Sequence, residues 1–138
     1  MNIDNLNQAL IDLVEKKIQL SQLDYSDQQY DEVEEALHDQ EDQFVEEYGD
    51  YLEDILADVH EELCPDTDVL LPIAYVANKY DKEEENGQTV YYAADGGVIV
   101  DVDKYPNQVT RLVLVPGPTR LVLQIGRKQA EVVWRPGH

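Results

Sequence analysis

The chain has few of the residues that usually reveal a compartment or an activity. It contains one cysteine in 138 residues, which excludes an internal disulfide and fits a reducing compartment. No apolar run approaches the roughly 20 residues that a membrane span needs. The first six residues have neither the basic segment nor the apolar segment of a signal peptide. These absences predict a cytoplasmic protein.

Motifs for catalysis or cofactor binding are also missing. There is no nucleophile elbow, no phosphate-binding loop and no glycine-rich dinucleotide turn. Glu35-x-x-His38 lacks the second such pair that a di-metal helical bundle requires. His60-Glu61-x-x-Cys64 has cysteine where the zinc-protease pattern has its second histidine, and nearby negative charge is expected to raise the pKa of the thiol. We therefore predict no catalytic, cofactor-binding or metal-binding residues, and no cofactor.

Positive charge is almost absent from the first half of the chain. Residues 1–68 carry 22 Asp and Glu against two lysines, whereas residues 69–138 carry eight acidic and eight basic residues. The net charge of −20 disfavours nucleic acid and anionic membranes as partners and favours basic ones. The charge boundary coincides with a change from helix-like to strand-like patterning. We predict one domain, 1–138, with an acidic helical part (1–68) and an antiparallel sheet part (69–138).

The helical part is predicted to be a hairpin of two helices. Apolar residues recur at helical spacing over Asp4–Leu20, with Asp4 as the N-cap. The second helix is expected to begin at a capping box formed by Ser26 and Gln29 and to end before Pro65. A glycine in its middle leaves open whether residues 27–63 form one helix or two.

The second helix carries acidic residues at every fourth position, so that each lies next to the following one on the helix surface. Like charges at this spacing cost about 0.2–0.5 kcal/mol per pair, so packing, salt or a cationic partner has to offset the repulsion. Glu41 instead lies within the apolar stripe, where we expect it to snorkel or to pair with Lys16 or Lys17. The candidate acidic face consists of Asp42, Glu46, Asp50, Asp54, Asp58 and Glu62.

The second part is predicted to form strands separated by turn residues. For segment 70–80 the sequence allows either a strand or a short helix that begins at Pro72. Helices followed by strands favour an α+β fold, in which an N-terminal acidic helical hairpin packs on a C-terminal antiparallel β-meander of five or six strands. The predicted strands are Ile73–Lys79, Thr89–Ala93, Val98–Val102, Thr110–Val115, Arg120–Ile125 and Ala130–Arg135.

The loop positions predict the register of the last three strands. With loops at 116–119 and 126–129, Leu121 pairs with Leu114 and Trp134, and Leu123 pairs with Leu112 and Val132. These residues form a core face, and the opposite face holds valines flanked by arginines. That face suits an acidic segment or a phosphate-bearing ligand; alternatively, the acidic helices cover it or it is simply solvated. The candidate interaction face consists of Arg111, Val113, Arg120, Val122, Val133 and Arg135.

Three classes of function are compatible with these patterns. The first is a non-enzymatic protein–protein interaction module that binds another protein or associates as a homodimer; nine tyrosines, a residue type enriched at interfaces, favour it. The second is an acidic charge mimic, an inhibitor-like or neutralising protein that binds a basic partner. The third is a hydrolase or metal-dependent enzyme, which no complete motif supports. We expect neither nucleic acid nor a membrane as a partner.

Overall fold

The computed structural model describes residues 2–136 and confirms the α+β class. Two helices and a 3-10 turn precede six strands, which form a two-stranded sheet, β1–β2, and a four-stranded antiparallel sheet in the order β3–β4–β5–β6. The expected meander is thus four strands long, and the other two strands form a separate hairpin. The elements are α1 (Ile3–Ser21), α2 (Gln28–Leu63), the 3-10 turn (Pro72–Tyr75), β1 (Lys79–Glu85), β2 (Gln88–Asp95), β3 (Val98–Val100), β4 (Thr110–Val115), β5 (Arg120–Ile125) and β6 (Gln129–Trp134).

Both helices are capped by residues other than the predicted ones. The Asn2 side chain accepts from the backbone N–H of Asn5 at 3.0 Å, so α1 begins before Asp4. The Asp27 side chain accepts from the backbone N–H of Gln29 at 2.9 Å, which replaces the predicted Ser26 cap. Asn, Asp and Ser are nearly equivalent as caps, so composition alone does not select among neighbouring candidates.

Helix α2 runs unbroken over 36 residues, which corresponds to about 54 Å at 1.5 Å per residue. Gly49 lies inside this continuous helix and is buried, so residues 28–63 form one helix and not two. The helix ends at Leu63, before Pro65, as predicted. It buries one face, and its carboxylates other than those of Glu34 and Glu41 are exposed.

The segment after α2 contains the main errors in the predicted strands. Pro72 begins a 3-10 turn, so the strand predicted at Ile73–Lys79 is wrong and the helical alternative is confirmed. The strand that follows, β1, was missed because every residue in it except Tyr80 is charged. The turn that joins β1 to β2 is Asn86-Gly87, with φ of 53° and 79°, values typical of the two-residue type I′ hairpin turn.

The predicted register holds from β4 to β5 and fails in part from β5 to β6. Leu112 pairs with Leu123 and Leu114 with Leu121, as expected. The second loop is one residue shorter than we assumed, so Leu123 pairs with Glu131 rather than Val132. An irregularity next to Leu121 restores its predicted pairing with Trp134.

The helices pack against the four-stranded sheet through one cluster of buried side chains. The cluster joins leucines of α1 and α2 to the leucines of β4 and β5. Three polar or aromatic contacts surround it. The Asn7 side chain accepts from the backbone N–H of Gly117 at 2.9 Å, and Tyr51 of α2 meets Trp134 of β6 with ring centroids 6.4 Å apart. Glu15 of α1 contacts the β1–β2 hairpin.

Candidate functional site

The predicted interaction face is largely covered, and strand β2 covers it. Val113 is fully buried and Val122 is 9% exposed, so the exposed valine row that we expected does not exist. Arg120 donates from Nη2 to the backbone carbonyl of Tyr91 at 3.4 Å, and Gln124 donates from Nε2 to that of Ala93 at 3.1 Å. The cover is therefore the β1–β2 hairpin and not the acidic helices, which lie on the opposite face.

Two glycines allow the hairpin to lie so close to the sheet. Gly96 and Gly97 join β2 to β3 with φ of 110° and 90°, a region that side-chain-bearing residues rarely adopt. A Cβ atom at Gly97 would lie 2.9 Å from the carbonyl oxygen of Leu112 and 3.2 Å from the Cβ of Val113. The chain therefore reverses directly against β4, and β2 is brought over its outer surface.

The outer face remains open along β6, one of the two edge strands of the sheet. Val132 pairs with Val122 and is 40% exposed, and Ala130 pairs with Gln124 and is exposed. Val133, which we placed in this row, is instead partly buried against the core. A groove of about 230 Å³ lies between β2 and β6, with Tyr92, Val122 and Val132 among its lining residues. We refer to Tyr92, Ala130 and Val132 as the open strip.

Sequence reasoning missed the open strip for a specific reason. The predicted register was one residue out in β6, which exchanged Val132 for Val133 on the outer face. Only the length of the β5–β6 loop, three residues instead of the four that we assumed, would have given the correct register. Tyr92 had no signal at all, because its place beside β6 depends on the hairpin crossing the sheet.

Two predicted arginines lie beside the open strip. Arg120 donates from Nη1 to the backbone carbonyls of Pro116 at 2.9 Å and Pro118 at 2.8 Å, which holds its guanidinium in place. Burial and then the positive charge of Arg135 lower the pKa of Arg120. The two guanidinium groups therefore repel each other. Within residues 2–136 neither has a carboxylate within 4.0 Å.

The third predicted arginine lies elsewhere, at the other end of the strands. Arg111 of β4 lines a cleft of about 900 Å³ together with Arg127 and Lys128 of the β5–β6 turn. The predicted interaction face is thus split: its valines are mostly covered, Arg120 and Arg135 flank the open strip, and Arg111 belongs to a separate cleft.

The candidate acidic face is exposed along its whole length, since all six of its carboxylates lie on the solvent side of α2. Glu41, in contrast, lies in the seam between the helices, where its Oε2 is 3.9 Å from Nζ of Lys17. The expected pairing of Glu41 with a lysine of the first helix is therefore present. Because Lys17 neutralises Glu41, this carboxylate adds less to the repulsion among the acidic side chains of α2.

His60 and Cys64 form a structural contact rather than a reactive pair. Nδ1 of His60 lies 2.9 Å from the carbonyl of Thr67, which can only accept, and Nε2 lies 2.8 Å from the hydroxyl of Tyr75. The imidazole thus carries its proton on Nδ1 and accepts from Tyr75. Cys64 is fully buried, and burial followed by the charge of Asp101 raises its pKa. The His60 side chain thus links the end of α2 to Tyr75 of the 3-10 turn.

Among residues 2–136, no group of three or more His, Cys, Asp or Glu side chains is placed to hold a metal ion. Glu35 and His38 are both exposed. None of the helices in the described range is long and apolar enough to cross a membrane. Comparison with protein-family models, with curated proteins and with solved structures finds no match for this chain.

Proposed function

We propose that this protein is a non-enzymatic protein–protein interaction module and that its binding surface is the open strip along β6. The partner it fits is an extended segment of another protein, with apolar side chains for the groove and an acidic side chain for Arg120 and Arg135. The observation that carries the proposal is the uncovered part of the outer sheet face beside an edge strand.

Edge strands present unpaired backbone groups, and proteins usually shorten, charge or cover them. Strand β6 runs for six residues, and its one charged side chain is Glu131. On the outer face, the groove lined by Val122 runs alongside β6. An extended segment added at this edge would gain main-chain hydrogen bonds and bury the exposed valine.

The local charge favours an acidic segment even though the whole chain is negative. Residues 110–136 contain five Arg and Lys against one Glu. The carboxylates of α2 project from the far side of the helix layer, and charges separated by more than about 8 Å are largely screened at physiological ionic strength. A carboxylate between Arg120 and Arg135 would relieve their repulsion and accept hydrogen bonds from both.

The acidic face supports a second candidate function, a charge mimic that binds a basic partner. The observation that favours this function is the series of six exposed carboxylates on a single uninterrupted helix. Substitution of Asp42, Asp50 and Asp58 by Asn would abolish binding of a basic partner. It would leave binding at the open strip intact.

Substitutions at Val132 test the main proposal, because the side chain is exposed and can change without disturbing the core. We expect Val132→Glu to abolish capture of a partner from cell extract and Val132→Arg to retain it, since the proposed segment is acidic. Val109→Glu is the matched control, because Val109 is 57% exposed and lies outside the open strip. Arg135→Glu should act like Val132→Glu.

The measurement is affinity capture at low and at moderate salt, followed by sedimentation of the purified protein. A partner retained equally by all four variants would show that the open strip is not the binding surface. Concentration-dependent dimers that Val132→Glu dissolves would instead assign the strip to a second copy of the chain.

A further inference from the structure

We propose that the cleft formed by Arg111, Arg127 and Lys128 binds the phosphate group of a small phosphorylated molecule. This site adjoins the open strip, since Ala130 lines a smaller pocket together with Arg111, Arg127 and Lys128, but it does not depend on the proposed interaction function. It lies where the β5–β6 turn meets the segment that precedes β4.

The cleft brings together a set of donors without any acid. Its lining contains three cationic side chains and no Asp or Glu, in a chain that carries 30 acidic residues against 10 basic ones. None of the three cations makes an ion pair within the described part of the chain. Amide side chains complete the polar lining: Asn107, Gln108, Gln124 and Gln129. Each amide nitrogen carries two N–H donors, and Gln124 already uses one of its two on the carbonyl of Ala93.

The donors are held on a framework that is already hydrogen-bonded. The backbone N–H of Gly126 donates to the carbonyl of Val109 at 2.8 Å, which ties the turn to the opposite wall. On the floor, Arg111 lies across the β4–β5 ladder from Gln124. The amide of Gln124 is fixed on the carbonyl of Ala93. Ordering the site on binding therefore involves the exposed polar side chains of the lining, which are Asn107, Gln108, Arg127, Lys128 and Gln129.

The arrangement favours phosphate over carboxylate. A carboxylate has two oxygens in one plane and is satisfied by a single bidentate arginine. A phosphate monoester carries about −1.5 to −2 charges and three acceptor oxygens, which suits two guanidinium groups and one ammonium group from the strand and the turn. The volume of about 900 Å³ also leaves room for an organic group beyond the phosphate, since ligand pockets range from about 300 to 1,000 Å³.

The charge of the whole chain favours a small molecule over a nucleic acid. A long polyanion would extend past the cleft and be repelled by a chain whose net charge is −20. Strong local contacts to a small ligand do not incur this repulsion.

Calorimetric titration with inorganic phosphate and with adenosine monophosphate tests the site, with adenosine and succinate as controls. We expect both phosphates to bind, the nucleotide more tightly, and the two controls not to bind. Arg127→Gln with Lys128→Gln should weaken phosphate binding by about tenfold or more, as expected for the loss of charged hydrogen bonds. Both residues are exposed in a turn, so the double variant is expected to fold, and circular dichroism checks this.

Lys104→Gln is the matched control, because it removes one exposed positive charge outside the cleft. It should leave phosphate affinity within about twofold, because Lys104 does not line the cleft. Absence of phosphate binding at millimolar concentration would overturn the proposal. So would equal binding of succinate, or equal losses in the control and the double variant. Val132→Glu should leave phosphate binding unchanged, which separates this site from the open strip.

Discussion

At the scale of single residues, Glu15 is the polar link between the helices and the hairpin. Its carboxylate accepts from Nζ of Lys82 at 2.9 Å and from the hydroxyl of Tyr91 at 2.9 Å. Tyr91 is nearly buried, and its ring lies against Gly117 of the β4–β5 turn. One acidic side chain of α1 thus holds the hairpin that covers the outer sheet face.

The hydrogen bond to Glu15 leads to a prediction about alkaline pH. Burial, and then the bond to Glu15, raises the pKa of Tyr91 from 10.0 to about 12. Below the unfolded value the phenol keeps its proton in both states and its contribution to stability is complete. As pH rises towards the folded value the unfolded chain loses the proton first, so stability falls. Tyr91→Phe should therefore be less stable at pH 7 but lose less stability above pH 10.

Chemical denaturation of wild type and Tyr91→Phe at several pH values measures this difference, with tyrosinate absorbance as an independent reading. Tyr92→Phe is the control, because Tyr92 is 42% exposed and bonds only to Glu85 of the neighbouring strand. Parallel stability curves for wild type and Tyr91→Phe from neutral to alkaline pH would contradict the assignment.

At the scale of secondary-structure elements, α2 is one continuous helix, whereas the sequence left open whether residues 27–63 form one helix or two. Gly49 weakens the helix locally, but buried residues on both sides keep the apolar stripe in contact with α1 and the sheet. Packing of an amphipathic face contributes most of the stability of a helix in a protein. This contribution exceeds the propensity penalty of one glycine, about 1 kcal/mol.

Two glycine substitutions should consequently have opposite signs. In Gly49→Ala the new Cβ would lie 3.4 Å from Cγ1 of Val45, an ordinary contact, so we expect stabilisation of up to about 1 kcal/mol. In Gly87→Ala the Cβ meets nothing, but the residue has φ of 79°, so we expect destabilisation of about 1 kcal/mol. Denaturant midpoints decide this, and a destabilised Gly49→Ala would mean that α2 needs a bend there.

At the scale of the whole molecule, opposite charges are separated on the two sides of the sheet. The acidic residues of α2 face solvent beyond the helix layer, while the excess of arginine and lysine lies on β4 to β6. The carboxylates on the negative side repel one another along α2. The two binding sites proposed above for anionic groups both lie on the positive side.

This charge separation predicts that salt stabilises the protein. Screening weakens repulsion between exposed like charges, so the thermal midpoint should rise from low to moderate sodium chloride. A variant with Asp42→Asn, Asp50→Asn and Asp58→Asn should show a smaller rise, because fewer like charges remain at four-residue spacing. A midpoint that does not change with salt would show that repulsion within α2 contributes little to stability.

Local pattern alone determined much of this fold. The apolar spacing of both helices and the pairing of Leu112 with Leu123 followed from periodicity and loop length, because each depends on residues close together in the chain. Strand β1 could not be predicted in this way, because its charged sequence has no apolar alternation. It is stabilised by pairing with β2 and by Lys82 on Glu15, a residue 67 positions away.

Tertiary structure decided which parts of the outer sheet face are covered and which are exposed. The sequence by itself determined that β4 and β5 have a valine face with arginines, but not that β2 would cross it. That crossing depends on two adjacent glycines with positive φ and on side chains of β5 that bind the free carbonyls of β2. Such long-range contacts leave no periodic pattern, because burial of Val113 and exposure of Val132 depend on which distant strand lies over each of them.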